Sequence, residues 1–144
     1  MGIIIREIDD RDYLAVASLI QHELGYSELD INKFSLRMEL IESDSCYVTF
    51  VAESDKQIVG FMGLHKGIPY EVDRIYLRIV ALAVSQEHQG KGIGTSLLKC
   101  AEDYANLIGA TALSLTSSFK RVEAHAFYEK NGLLKSSYGF LKMI

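Results

Sequence analysis

Three glycines stand at alternate positions in Gln89-Gly90-Lys91-Gly92-Ile93-Gly94-Thr95. Glycine accepts positive φ and lets a ligand approach the main chain, and the first N–H groups of a helix have no intrahelical partner. A glycine-rich turn that opens a helix is therefore a cradle for phosphate. A turn that needed glycine for geometry alone would use one or two. A dinucleotide fingerprint would read G-x-G-x-x-G with an acidic residue roughly 20 positions on, and a P-loop would close on Lys-Ser or Lys-Thr. Gly90, Gly92 and Gly94 run G-x-G-x-G, and Lys91 is followed by Gly92, so neither pattern fits.

The flanking segments place this loop between a strand and a helix. Ile79-Val80-Ala81-Leu82-Ala83-Val84 is short, apolar and rich in β-branched residues, as a buried strand should be. Ile93, Leu97, Leu98, Ala101, Tyr104, Ala105 and Ile108 recur at helical spacing. Within the strand, Ile75, Leu77 and Ile79 put apolar side chains on odd positions, whereas Val80, Leu82 and Val84 put them on even ones. That switch requires a bulge or a second buried face. A bulge would splay the strand from a parallel neighbour over Ala112–Ser117 and open a slot with unpaired backbone groups, with the small Ala81 and Ala83 beside it.

The rest of the chain reads as strand, two helices, three strands, helix, strand, helix, two strands. Ile3–Ile8 is the first strand, and Asp9 or Asp10 caps a helix carrying Tyr13, Val16, Ala17 and Ile20 on one face. After a turn over Glu23-Leu24-Gly25-Tyr26-Ser27, Asp30 caps a second helix with Phe34, Met38 and Ile41. Cys46–Glu53 and Gln57–Lys66 form a hairpin around Ser54-Asp55-Lys56, followed by a loop to Asp73. With 144 residues, one proline and no linker or repeat, the chain is expected to be a single domain over 1–144. No apolar run approaches the roughly 18 residues of a membrane span, and no signal peptide is evident, so a cytoplasmic protein without a membrane partner is expected. A net charge of −4 disfavours nucleic acid and suits an amine-bearing partner. Cys46 and Cys100 read as small core residues, and no metal site is expected.

Ala124-His125-Ala126-Phe127-Tyr128-Glu129-Lys130-Asn131-Gly132-Leu133 resembles the A-H-x-F-Y-E-x-x-G-[FY] helix end of the GNAT N-acetyltransferases. In the same family the acyl-CoA pyrophosphate loop is written [Q/R]-x-x-G-x-[G/A], matched here by Gln89, Gly92 and Gly94. The two motifs come in the family order, and the resemblance runs from Ile3 to Lys142. Leu133 stands where an aromatic is usual, and Gln89 replaces the commoner Arg, removing a positive charge near the pyrophosphate. The resemblance implies an α/β fold of α+β type, with a central mixed, mostly antiparallel sheet, a splayed parallel strand pair that receives pantetheine, and helices on both faces. It also implies an acetyl-CoA-dependent N-acetyltransferase acting on a primary amine of a small molecule or peptide, by direct transfer in a ternary complex, with a homodimer possible.

Acetyl transfer from a thioester to an amine needs a donor for the developing oxyanion and a proton for the departing thiolate. The backbone N–H of Leu82 at the bulge is the expected oxyanion donor. The motif match makes Tyr128 the acid, with Phe127 filling core space beside it and counted, with Leu82, Val84 and Gln89 to Thr95 (Gln89, Gly90, Lys91, Gly92, Ile93, Gly94, Thr95), among the cofactor-binding residues. The resemblance implies that the turn between the first two helices borders the acceptor site, which makes Glu23 and Tyr26 the substrate-binding candidates, a carboxylate and an aromatic that could hold an ammonium. His125 is read as structural. His65, Glu71 and Asp73 are possible bases. Two other functions compete: a catalytically silent acyl-CoA-binding regulatory module, opposed by the intact loop and Tyr128, and a nucleotide-binding enzyme, opposed by the failed fingerprints.

Overall fold

The computed structural model describes residues 2–144. Five strands form one sheet in chain order: β1 (Ile4–Glu7), β2 (Tyr47–Ser54), β3 (Gln57–Gly67), β4 (Ile75–Val84) and β5 (Ala110–Ser114). The first four are antiparallel neighbours, and β5 runs parallel to β4. Helices α1 (Tyr13–Glu23) and α2 (Ile31–Ser43) lie on one face, where Val16, Phe34 and Met38 meet Val51, Phe61 and Ala83. Helix α3 (Ile93–Ile108) covers the other face and buries Ile93, Leu97, Leu98, Ala101 and Ala105 against Met62, Leu64 and Leu77. Helix α4 (Val122–Lys130) adds Phe127 to that side. The α+β sheet with helices on both faces is the expected fold.

Local chemistry sets the element boundaries. Asp30 caps α2 through its carboxylate, which accepts the N–H groups of Asn32 and Lys33 at 2.9 and 3.1 Å. Asp9 caps a short 3-10 turn over Asp10–Asp12 that leads into α1. Tyr13 on α1 donates its hydroxyl to Glu42 on α2, joining the two helices.

Two sequence expectations are corrected. The fifth strand covers Ala110–Ser114 rather than Ala112–Ser117, because β4 leaves it after Arg78 and the later residues have no ladder partner. The two C-terminal strands are not formed: residues beyond Asn131–Gly132 adopt no regular structure, and Leu134 to Ile144 are exposed. An alternating segment becomes a strand only where an edge pairs with it, and here none does.

One ion pair holds the start of the sheet to α1. Arg6 grips Asp12 bidentately, Nη1 to Oδ2 at 2.8 Å and Nη2 to Oδ1 at 2.9 Å, and reaches Glu53 on β2 at 3.0 Å. Asp12 is 3% exposed and also accepts the Asp9 N–H at 2.9 Å. The Arg6 hydrogen bonds hold its carboxyl below the usual carboxylate range, against the opposing effect of burial. Asp12→Ala should therefore destabilise the protein by about 3 kcal/mol, measurable by urea unfolding. The depressed folded value fixes the sign with pH: this contribution is present above the unfolded carboxyl value of about 3.9 and is lost as pH falls through the folded value. Loss of stability between pH 7 and 5 that disappears in Asp12→Asn would contradict this assignment.

Candidate active site

A break between two strands forms the centre of the site. β4 and β5 are paired only from Ile75 and Ala110 to Arg78 and Ser114. Beyond that point β4 stays on β3, with Leu82 opposite Met62 and Val84 opposite Gly60. The cause is a bulge. Leu64 pairs with Ile79 and Gly63 with Ala81, so Val80 is an extra residue on β4, at the place where the apolar positions change parity. A bulge bends its strand and sharpens the twist, which turns 79–84 away from the chain after Ser114. Every second N–H and C=O on the free edge of β4 then points into a gap. The Ser117 hydroxyl, three residues beyond β5, is buried and finds no partner among the described residues. A gap of this kind, with open backbone edges, fits an extended polar chain such as pantetheine.

The gap leads directly to the glycine loop. After β4, the Ser85 N–H donates to the Val59 carbonyl at 2.8 Å, and a 3-10 turn over Gln86–His88 follows. Gln89 folds its side chain back, donating from Nε2 to the Val84 carbonyl at 3.0 Å, and so ties the loop to the strand end. Gly90 and Gly92 have φ of +78° and +82°. Gly92 is the N-cap of α3, and no side chain caps the helix. The Ser96 N–H bonds to the Gly92 carbonyl at 3.0 Å, as the first turn requires, which leaves the N–H groups of Ile93, Gly94 and Thr95 without intrahelical partners. These donors and the helix dipole make the turn a site for an anion.

Helix α4 packs against the start of α3. A Cβ on Gly94 would lie 2.9 Å from Cζ of Phe127, so a side chain there would force the ring to shift. Tyr128 follows it, 9% exposed, with ring centroids 5.7 Å apart. Burial pushes the Tyr128 phenol above its ordinary value, with Arg121 opposing, so the phenol carries its proton at neutral pH. His125 is tied to the Ser118 carbonyl at 2.8 Å through Nε2, in keeping with a structural role. Burial likewise raises the Cys100 thiol, which makes it a poor nucleophile near neutrality.

On the α1/α2 side of the bulge lies a groove of about 870 Å³ whose floor includes Gly63, Val80 and Ala81. Tyr26, Lys33 and Arg37 line its outer part. A smaller cavity of about 340 Å³ lies beyond Tyr47 and Val80, lined by His65, Tyr76, Arg78 and Thr116. The Tyr47 and His65 rings lie 4.5 Å apart, and Arg78 donates to Thr116 Oγ1 at 3.2 Å. Tyr47 and Val80 line both spaces, which places the bulge residue at the wall of each.

The profile of the acetyltransferase (GNAT) family matches residues 5–133. The chain belongs to the GNAT acetyltransferase family. It is 30% identical over 147 residues to YhdJ, an uncharacterised N-acetyltransferase of Bacillus subtilis (strain 168), covering 97% of this chain and 98% of that one. It is 28% identical over 138 residues to the aminoalkylphosphonate N-acetyltransferase of Salmonella typhimurium, covering 96% of this chain and 86% of that one. Its fold matches an aminoglycoside N-acetyltransferase solved in complex with CoA, with a TM-score of 0.86 at 12% identity over 99% of this chain and 95% of that one.

In this acetyltransferase the expected site residues fall into two places. Leu82, Val84 and the loop from Gln89 to Thr95 line up along one edge from gap to helix, with Phe127 and Tyr128 on the adjoining helix. Glu23 and Tyr26 are not brought together. The Glu23 carboxylate accepts the Gln86 N–H at 3.0 Å, at the approach to the glycine loop, while Tyr26 is in the groove wall. Sequence reasoning missed Lys33, Arg37, Tyr47, Arg78 and Thr116 as groove residues, and it named His65 without a geometry. The Tyr47 and His65 pair could have been found only through the hairpin register, in which the two stand opposite each other. Among the described residues no group of three or more His, Cys, Asp or Glu side chains converges on a possible metal position, and no helix is long and apolar enough to cross a membrane.

Proposed function

We propose that residues 1–144 act as one acetyl-CoA-dependent N-acetyltransferase domain, transferring acetyl to a primary amine of a small molecule or peptide directly, within a ternary complex in the cytoplasm. The observation that carries this reading is the gap between β4 and β5, which opens at Val80 and runs into the uncapped start of α3. Acetyl-CoA supplies a thioester carbonyl that an amine can attack. The free edge of β4, with Leu82 and Val84, holds the pantetheine arm as a strand would. The N–H groups and glycines from Gln89 to Thr95, with Lys91, take the pyrophosphate; that an aminoglycoside N-acetyltransferase of the same fold is solved in complex with CoA supports CoA as the ligand.

The Leu82 N–H donates to the thioester oxygen as charge builds on it. Tyr128 gives its proton to the departing sulfur, and Phe127 holds α4 against the loop. The amine enters from the groove beside Tyr26, where Lys33 and Arg37 stand ready for any anionic group it carries. His65, across from Tyr47, takes the proton the amine loses. Glu23 positions the Gln86 turn ahead of the loop. Neither a metal nor a nucleic acid has a part in this scheme.

Thermal denaturation with acetyl-CoA, NAD and ATP tests the donor. Selective binding at 100 times Kd should stabilise the fold by about 2.7 kcal/mol, with acetyl-CoA alone giving the rise in Tm. Stabilisation by NAD or ATP in its place would overturn the reading. Release of CoA thiol in the presence of a panel of amines then identifies the acceptor.

A further inference from the structure

The sheet face beneath α1 and α2 is built of three cross-strand rows that change character toward one end. Val51, Phe61 and Ala83 stand opposite one another and are buried under the helices. Two residues along β2 and β3, Thr49 pairs with Gly63, and Ala81 stands opposite on β4. The third row is Tyr47, His65 and Arg78. On β4 the step from Ala81 to Arg78 is three residues because Val80 is the extra one, which keeps Arg78 on the same face as its partners. Successive rows are roughly 7 Å apart. Their chemistry differs. The first is apolar and is roofed by Phe34 and Met38 of α2, which line the groove together with Phe61. The second has no side chain at Gly63 and a methyl at Ala81, so it is open floor. The third carries an imidazole and a guanidinium side by side, since opposed residues hold their Cβ atoms about 4.5–5.5 Å apart.

Arg78 is a cation without a counter-ion. Among the described residues it meets no carboxylate, and its side-chain hydrogen bond goes to Thr116 Oγ1 at 3.2 Å. Lys33 and Arg37, by contrast, share the lining of the groove with Glu28 and Asp30, so charge is balanced there. We propose that the acceptor is a free α-amino acid with a large apolar side chain. Its carboxylate sits on Arg78, its amine at His65, and its side chain across the row of Gly63 and Ala81 toward Phe61, Phe34 and Met38. This rests on the proposed acetyl transfer, in which His65 takes the amine proton. A guanidinium fork suits a carboxylate, which it binds bidentately. One carbon between carboxylate and amine matches two side chains that are direct cross-strand partners. A peptide N-terminus or a lysine side chain has no carboxylate beside its amine and would leave Arg78 unpaired, and a polyamine would set a second cation against it. In the reaction the ammonium gives one proton to solvent to become a nucleophile and a second to His65 as nitrogen bonds to the acetyl carbon. The carbon–sulfur bond breaks, and sulfur takes a proton from Tyr128, yielding the N-acetyl amino acid and CoA.

Isothermal titration calorimetry on the full chain, with and without CoA, reads recognition apart from turnover. L-Methionine should bind about 10- to 100-fold more tightly than L-methioninamide, which keeps the amine and side chain but lacks the negative charge. It should also bind about tenfold or more tightly than glycine, which lacks the side chain. Arg78→Gln should bring the ratio of acid to amide close to one, and Arg78→Lys should keep part of it. Arg78 is exposed, so both variants should retain the far-UV spectrum of the wild type. Equal affinities for acid and amide in the wild type overturn the inference, as does a preference that persists in Arg78→Gln or glycine binding as tightly as methionine. Release of CoA from acetyl-CoA, measured separately with the same amines, tests the catalysis. Binding that depends on Arg78 without turnover keeps this inference and defeats the proposed reaction, whereas equal turnover of methionine and methioninamide keeps the reaction and defeats the inference.

Discussion

Tyr128→Phe is expected to lower kcat about 100-fold while leaving acetyl-CoA affinity near that of the wild type. Phenylalanine keeps the ring and its contact with Phe127, 5.7 Å away between centroids, so α4 should hold its place over the glycine loop. Only the hydroxyl is removed, and its contribution grows as negative charge develops on the leaving sulfur. An interaction made in the transition state alone appears in kcat rather than in binding. General-acid assistance of this kind is typically worth about 10²-fold or more. Burial raises the phenol above its ordinary value of about 10, so the acid form persists through neutral and mildly alkaline pH and is lost only as pH rises through that raised value. Single-turnover kinetics carried into the alkaline range would show a limb above pH 10 in the wild type that is absent from the variant. Wild-type turnover in a folded variant, with chemistry rate-limiting, would reduce Tyr128 to a packing residue and assign the proton to water.

The second large effect is expected at Gly92. Its φ is +82°, and a Cβ built there meets nothing within 4 Å, so the surrounding protein does not itself exclude a side chain. The penalty comes from the left-handed backbone and from the space the phosphates need. A left-handed conformation costs an ordinary residue roughly 1–2 kcal/mol, and a β-branched residue tolerates it least. Gly92→Val should therefore lower the stability of the fold by about 1–2 kcal/mol through the backbone and raise the acetyl-CoA KM where the branched side chain enters the cradle. Gly92→Ala should fall between the two. The KM for the amine, proposed to enter from the groove beside Tyr26, should stay near the wild-type value. An unchanged acetyl-CoA KM in a folded Gly92→Val protein would place the phosphates elsewhere.

The strand and loop that position the proposed donor site were legible because their signals are local. The parity change between Ile79 and Val80 gave the bulge, and alternate glycines at a strand-to-helix turn gave the uncapped helix start. The groove was not legible, because its residues come from α2, β2, β3 and β4 and no spacing connects them. The register of β2 on β3 adds a second obstacle. The two-residue turn at Asp55-Lys56 pairs Ser54 with Gln57 and Glu53 with Ile58, but a shift follows and Ala52 pairs with Gly60. Counting back from the turn without that shift sets Tyr47 against Leu64 and hides its contact with His65. No alternation exposes the slip, since Val59 to Leu64 are buried throughout, on both faces of the sheet. The C-terminal strands failed for a different reason. Apolar residues from Tyr138 to Ile144 give the composition of a strand, while pairing depends on an edge that the protomer does not bring to them.

The contact between Gly94 and Phe127 couples the glycine loop to the helix that follows it in space. Because an added methyl at position 94 would stand 2.9 Å from the aromatic ring, the two residues share one filled volume. A side chain gained at the first turn of α3 must be met by a shift of the Phe127 ring or a tilt of the helix that carries Tyr128. The two sequence motifs of the chain are thus one packed unit, in which a change of volume in the loop is felt at the helix that carries the proposed acid.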